Sequence, residues 1–224
     1  MENPIKNIEN YIEHTILSPQ ASYKDIEANL ESTLKYGFLG ICVNPFFVKK
    51  CRDYLKNSPT KVITVIGFPL GMNKLRVKNC EALTALEDGA DELDMVMNIG
   101  AFKSADYKTV SYEIEKIVQS AEERPVKVII ETDLLNKDEI IKACTIAADA
   151  GAEFVKTSTG FVKNGKGATA ENVKIMFEAV SKLGLKVKAS GGVRDYKSAV
   201  ELINAGASRI GTSAGIEIIK GHTK

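Results

Sequence analysis

The chain has 224 residues, 44% of them apolar and 26% charged, with a formal net charge of +1. That length is normal for one α/β barrel and can bury a large core. A balanced charge with no basic block or aromatic-basic stripe argues against nucleic acid or a membrane surface as partner. No apolar run approaches membrane-spanning length, and the polar start from Met1 to Asn10 holds no apolar signal region, so a cytoplasmic protein is expected. The four cysteines, Cys42, Cys51, Cys80 and Cys144, form no CxxC pair and read as reduced thiols. Two histidines, His14 and His222, are too few for a histidine-rich zinc site.

Short apolar runs alternate with amphipathic stretches from end to end. The predicted strands are Ile12 to Leu17, Gly40 to Asn44, Lys61 to Gly67, Glu92 to Asn98, Val126 to Glu131, Glu153 to Ser158, Lys186 to Ser190 and Arg209 to Thr212. Several are dense in Val and Ile, as expected of parallel strands covered on both faces. Helices are predicted between them. Tyr23 to Tyr36 spaces Ile26, Leu30 and Leu34 on one face; Asn73 to Asp88 does the same with Leu75, Val77, Cys80, Leu83 and Leu86. Gly37, Gly89, Gly151, Gly184 and Gly206 follow helical runs, where a left-handed cap favours glycine. About eight β/α units in this length predict a closed (β/α)8 TIM barrel, a single domain over residues 1–224. A doubly wound open sheet is the alternative, weakened because no GxGxxG turn follows any strand.

Two lysines stand inside buried-strand patterns: Lys156 in Phe154-Val155-Lys156-Thr157-Ser158, and Lys188 in Val187-Lys188-Ala189-Ser190. An ammonium in a core strand costs several kcal/mol unless something compensates or uses it. Strand alternation places Phe154, Lys156 and Ser158 on one face and Val155 and Thr157 on the other. On the fourth strand Leu93, Met95 and Met97 suit helix contact, so Asp94 points inward. Asp94, Lys156 and Lys188 thus form an expected inward cluster near the C-terminal strand ends, where barrels keep their active sites. A buried salt bridge without chemistry would satisfy one lysine and leave the other. A nucleophilic lysine must be neutral part of the time, against an ordinary pKa of about 10.4. A second ammonium about 5 Å away opposes protonation by roughly 3 kcal/mol at an effective dielectric near 20. Lys186, nearer the strand start, reads as a solvated residue at the barrel bottom.

The seventh strand ends in Ser190-Gly191-Gly192, and the eighth runs through Gly211-Thr212-Ser213 into a last short helix. Glycines let backbone amides approach a ligand, helix starts favour anions, and these two loops are the usual phosphate site of a barrel. Arg194 either assists there or caps the following helix.

These residues carry a resemblance. VKTSTG (Val155 to Gly160), VKASGGVR (Val187 to Arg194), GADELDMVMNIG (Gly89 to Gly100) and HTIL (His14 to Leu17) resemble the deoxyribose-phosphate aldolase family of class I aldolases over nearly the whole length. The resemblance implies a (β/α)8 barrel, homodimeric, acting on a small sugar phosphate with no metal and no cofactor. It implies that Lys156 forms a Schiff base and that the charge of Lys188 favours the neutral amine and joins proton transfer. Asp94 would serve a proton relay through water, with Thr159 supporting that water or a substrate hydroxyl. Gly160, Gly191, Gly192 and Ser213 would hold the phosphate. Cys42, in GICVNP, matches a cysteine near the family's pocket and reads equally as core packing. The chain departs from the family pattern at Glu13, where many relatives carry Asp before His-Thr at the mouth of the first strand. It departs also in the lysine-rich segment Phe161 to Gly167, whose Lys163 and Lys166 read as solvated. The chain ends at Lys224 without the C-terminal tyrosine of some relatives, so the proton step is expected to rest on water and the Asp94–Lys188 pair. Two other readings are open: a Schiff-base lyase for a different phosphorylated aldehyde or ketone, and a barrel that only binds sugar phosphates.

Overall fold

The computed structural model describes residues 5–222. The expectations for Met1 to Pro4 and for the chain end at Lys224 lie outside these residues. The strands are β1 (Ile12–Ile16), β2 (Gly40–Val43), β3 (Lys61–Ile66), β4 (Glu92–Val96), β5 (Val126–Ile129), β6 (Phe154–Lys156), β7 (Lys186–Ser190) and β8 (Ala207–Thr212). All pair in parallel, each with its sequence neighbours, and β8 returns to β1 to close the barrel. The helices are α1 (Tyr23–Tyr36), α2 (Val48–Leu55), α3 (Leu75–Glu87), α4 (Ile99–Lys103), α5 (Tyr107–Ser120), α6 (Lys137–Asp149), α7 (Ala170–Val180), α8 (Tyr196–Asn204) and α9 (Gly215–His222). The open-sheet alternative is excluded by the closure. No helix among the described residues is long and apolar enough to cross a membrane.

Local sequence explains the helix ends. Ser22 with Asp25, Asn136 with Glu139 and Asp195 with Ser198 form reciprocal caps at the starts of α1, α6 and α8. Asp195, and not Arg194, therefore caps α8. The five glycines expected after helical runs all adopt positive φ.

The strands sort their side chains as alternation requires. Leu93, Met95 and Met97, with Val126, Val128, Val155, Val187 and Ala189, join the helices in one continuous apolar core. The opposite faces fill the barrel. β6 stops at Lys156, short of the expected Ser158, because hydroxyls take over there. Thr157 Oγ1 donates to Ser190 O at 2.9 Å, and Ser190 Oγ donates to Ser158 O at 2.6 Å.

Ile26 and Leu30 of α1 and Leu86 of α3 are buried as expected, and the two helices depart from the expected faces elsewhere. In α3 the buried residues are Lys78, Ala82, Ala85 and Leu86, while Val77, Cys80 and Leu83 are exposed. The helix turns its alanines to the barrel and brings Lys78 inward, where Nζ donates to Glu113 Oε2 at 2.9 Å and to Val96 O at 3.2 Å. In α1, Thr33 is buried and Leu34 exposed, since Thr33 Oγ1 satisfies itself on Asn29 O at 2.7 Å.

Candidate active site

The register of the sheet assembles the site. Asp94 lies beside Lys127 across β4–β5, and Lys156 beside Lys188 across β6–β7. All four point into the barrel. Asp94 Oδ2 accepts from Lys156 Nζ at 2.7 Å and from Lys188 Nζ at 2.6 Å, so both lysines share one oxygen. Its other oxygen, Oδ1, accepts from Lys127 Nζ at 2.9 Å. Lys127 also meets Glu92 at 2.6 Å and Glu13 at 3.6 Å, and Lys188 donates to Glu13. Toward the barrel bottom Lys61 pairs with Glu92 at 2.9 Å, and Arg209 approaches Glu13 at 3.6 Å. Phe154 closes that end, with Lys127, Lys186 and Arg209 over its ring. Lys186 is exposed there, as expected of a residue at the bottom.

Charge states follow from this packing. Burial would raise the Asp94 carboxyl, but Lys127, Lys156 and Lys188 hold it well below the usual carboxylate range. Burial pushes Lys188 down, and the carboxylates of Asp94 and Glu13 more than reverse this, so it remains an ammonium. Lys127 is raised by the same balance of burial against Asp94 and Glu13. The two lysines are thus not bare neighbours, because one Asp94 oxygen stands between them.

Above the cluster opens a cavity of about 400 Å³. Lys156, Thr159, Gly160, Gly191, Gly192, Arg194 and Ser213 all line it, together with Thr15 and Gly211. The structure therefore brings Lys156 and the four residues expected to hold phosphate to one space, with Asp94 and Lys188 directly beneath. Thr212 Oγ1 donates to Val193 O at 2.6 Å, tying the two loops of that wall together. Thr159 Oγ1 donates to Glu131 and accepts from Phe161 N at 3.1 Å, which leaves it one lone pair for a ligand. Lys163 and Lys166 are exposed and line no part of this cavity.

Other motif residues lie elsewhere. His14 is buried against Phe38, ring centroids 5.0 Å apart, outside the barrel. Glu13 lies below the mouth, fully buried in the ion network. Cys42 faces the interior with Ile63 and Val65; burial pushes its thiol up, against the opposing charge of Lys188.

Absent from the sequence expectations are Lys127, Glu92 and Glu131. Lys127 sits in Val126-Lys127-Val128-Ile129, a strand pattern as apolar as those of Lys156 and Lys188. The rule that finds those two also finds this one. Glu131 has no such pattern; it is buried by a turn with φ 59°, and burial raises its carboxyl despite the bonds from Thr159.

Comparison with known proteins agrees with this geometry. The DeoC/LacD family aldolase profile matches residues 7–221. The chain is 50% identical over 217 residues to the deoxyribose-phosphate aldolase of Caldicellulosiruptor saccharolyticus, covering 96% of this chain and 97% of that one. It is 51% identical over 220 residues to the enzyme of the same name from Thermococcus kodakarensis, again covering 96% and 97%. Among solved structures it superposes with a TM-score of 0.90 on the tetrameric deoxyribose phosphate aldolase of Aeropyrum pernix, at 35% identity over 97% of this chain and 91% of that one. With a closed barrel, an interior lysine cluster and a match spanning nearly all its residues, the chain belongs to the DeoC/LacD family of aldolases.

Proposed function

We propose that this enzyme reversibly cleaves 2-deoxy-D-ribose 5-phosphate to D-glyceraldehyde 3-phosphate and acetaldehyde through a Schiff base on Lys156. The observation that carries the reading is the asymmetry among the three interior lysines. Lys127 meets three carboxylates, Lys188 two and Lys156 one, and Lys156 is the one that lines the cavity. A neutral amine is useful where substrate can reach it and costs least where the fewest anions favour the ammonium.

In this reading neutral Lys156 Nζ attacks the C1 aldehyde of the open-chain sugar, and loss of water gives the imine. The protonated imine accepts the electron pair of the C2–C3 bond as the C3 hydroxyl loses its proton through a water held by Asp94 and Lys188. D-Glyceraldehyde 3-phosphate leaves. The two-carbon enamine is protonated at C2 and hydrolysed to acetaldehyde, restoring Lys156. Asp94 is too acidic to keep a proton, so its part is to hold the water and the two lysines. Lys188 gives its proton to the departing carbinolamine hydroxyl, takes the C3 hydroxyl's proton through that water, and returns it to C2 of the enamine. Thr159 offers its remaining lone pair to the water or to a substrate hydroxyl. Gly160, Gly191, Gly192 and Ser213 receive the phosphate beside the start of α9, where backbone amides favour an anion. That remote binding positions the reacting bond.

Residues 1–224 are proposed to act as one barrel domain, in the cytoplasm, as a homodimer. The exposed aromatics Tyr23, Phe46 and Tyr54 on one side of the barrel favour association of copies, and sedimentation velocity reads the number directly. The reaction is tested by supplying 2-deoxyribose 5-phosphate and measuring acetaldehyde and D-glyceraldehyde 3-phosphate. Equal release of both supports the reading. Cleavage only of other phosphorylated aldehydes or ketones would replace the substrate, and binding without turnover would leave a sugar-phosphate carrier.

A further inference from the structure

The turn that leaves β5 carries two carboxylates that the steps above do not use. Glu131 adopts left-handed backbone at φ 59°, a conformation L side chains resist. Its carboxylate accepts from Thr159 N at 3.2 Å and from Thr159 Oγ1. A short way along, Asp133 accepts from Lys166 N at 2.9 Å through Oδ1 and from Gly167 N at 2.8 Å through Oδ2. The two acids therefore grip the beginning and the end of one loop, residues 159–167. The second grip depends on bare backbone. A Cβ on Gly165 would stand 2.6 Å from Asp133 Oδ2, and one on Gly167 would stand 2.3 Å from Gly191 O. Ala168 N then donates to Gly191 O at 2.9 Å. Holding Thr159 thus places Gly160, and holding Gly167 places Gly191, and both glycines face the cavity.

We propose that Glu131 and Asp133 are positioning residues that set the phosphate-facing wall of the cavity and so make the enzyme select phosphorylated over unphosphorylated sugars. The inference rests on the reading of the cavity given above. The acids do not bind the phosphate, which they would repel; their oxygens are taken up by backbone N–H groups and the Thr159 hydroxyl. Asp133→Asn presents an NH2 to one of its two amide partners and frees the far end of the loop. Gly165→Ala displaces the same grip while leaving the acid in place.

The test compares wild type, Asp133→Asn, Gly165→Ala and Glu131→Gln on 2-deoxyribose 5-phosphate and on 2-deoxyribose. Binding of inorganic phosphate is followed by calorimetry, and folding by circular dichroism and melting. Asp133→Asn and Gly165→Ala are expected to raise KM for the phosphorylated sugar and weaken phosphate binding about tenfold, with kcat held within about twofold. Their kcat/KM for 2-deoxyribose should not change. Glu131→Gln should add a fall in kcat, because Thr159 moves with it. Equal losses on both sugars in folded Asp133→Asn or Gly165→Ala, or unchanged KM and phosphate affinity in them, would overturn the proposal, as would a wild-type protein that ignores phosphate. Borohydride trapping with acetaldehyde keeps the two readings apart. If wild type forms no imine the aldolase reading fails, and the phosphate measurements still decide the loop.

Discussion

Lys78 and Lys156 are both buried lysines with a carboxylate in reach, and they are put to different ends. Lys78, on α3, faces α5 and the end of β4, its Nζ shared between Glu113 and the Val96 carbonyl; it is fully buried and does not line the cavity above the lysine cluster. Lys156 lies in the barrel, shares its one carboxylate with two other lysines, and faces a cavity of about 400 Å³. Burial alone therefore does not mark a lysine as chemical. What sets Lys156 apart is access to the cavity together with a single carboxylate partner. The closed pair holds two helices to the barrel, whereas the proposed mechanism uses the open cluster to present one amine to substrate.

The sharpest way to break the comparison is to remove each lysine in turn. Lys156→Ala is expected to lower kcat/KM by at least ~10⁴-fold in a folded protein, read by acetaldehyde release. Asp94→Asn should follow, lowering kcat by about 10²- to 10⁴-fold and costing about 3 to 5 kcal/mol in urea unfolding, because three lysines lose their shared anion. Lys78→Met should give the reverse pattern: a similar loss of about 3 to 5 kcal/mol, with kcat/KM within about twofold. Adding Glu113→Leu to it should recover most of that loss, since no buried carboxylate then lacks its partner. A large catalytic defect in Lys78→Met would erase the distinction between the two sites.

The smallest effect concerns acid stability. Burial opposes ionisation of Glu92, yet Lys127 and Lys61 hold its pKa down at about 2, against an ordinary 4.5. A depressed carboxyl stabilises the fold fully above its unfolded pKa and ceases to do so as pH falls through the folded value. Glu92 should thus contribute about 3 kcal/mol that fades between pH 4.5 and about 2. In Glu92→Gln, the fall in stability over that window should be shallower, as followed by thermal melting at stepped pH.

The barrel was legible in the sequence because two periodicities coincide in it. Val and Ile runs gave the strands, and alternation within them placed Asp94, Lys156 and Lys188 on the inner face. That Gly-Gly and Gly-Thr-Ser at the ends of β7 and β8 would line one cavity was legible, since loop position in a barrel is fixed by strand order. The face of α3 and the last turn of α1, where Leu34 is exposed, were less so. Ala82 and Ala85 are too small to dominate an apolar pattern, yet their size is what lets α3 approach the sheet. Lys78 reads as a surface residue until Glu113, on another helix, is brought beside it. Lys127 was within reach of the rule that found the other lysines. Glu131 and Asp133 were not, because their partners are backbone amides of a loop whose path no local pattern specifies.

The central claim is that Lys156, and neither Lys188 nor Lys127, carries the imine. Borohydride reduction in the presence of acetaldehyde, followed by peptide mass mapping, tests it most directly. The account predicts a two-carbon adduct on Lys156 that disappears in Lys156→Ala and persists in Lys78→Met. An adduct on Lys188 would reverse the two roles, and a folded wild-type protein with no adduct would contradict the Schiff-base mechanism altogether.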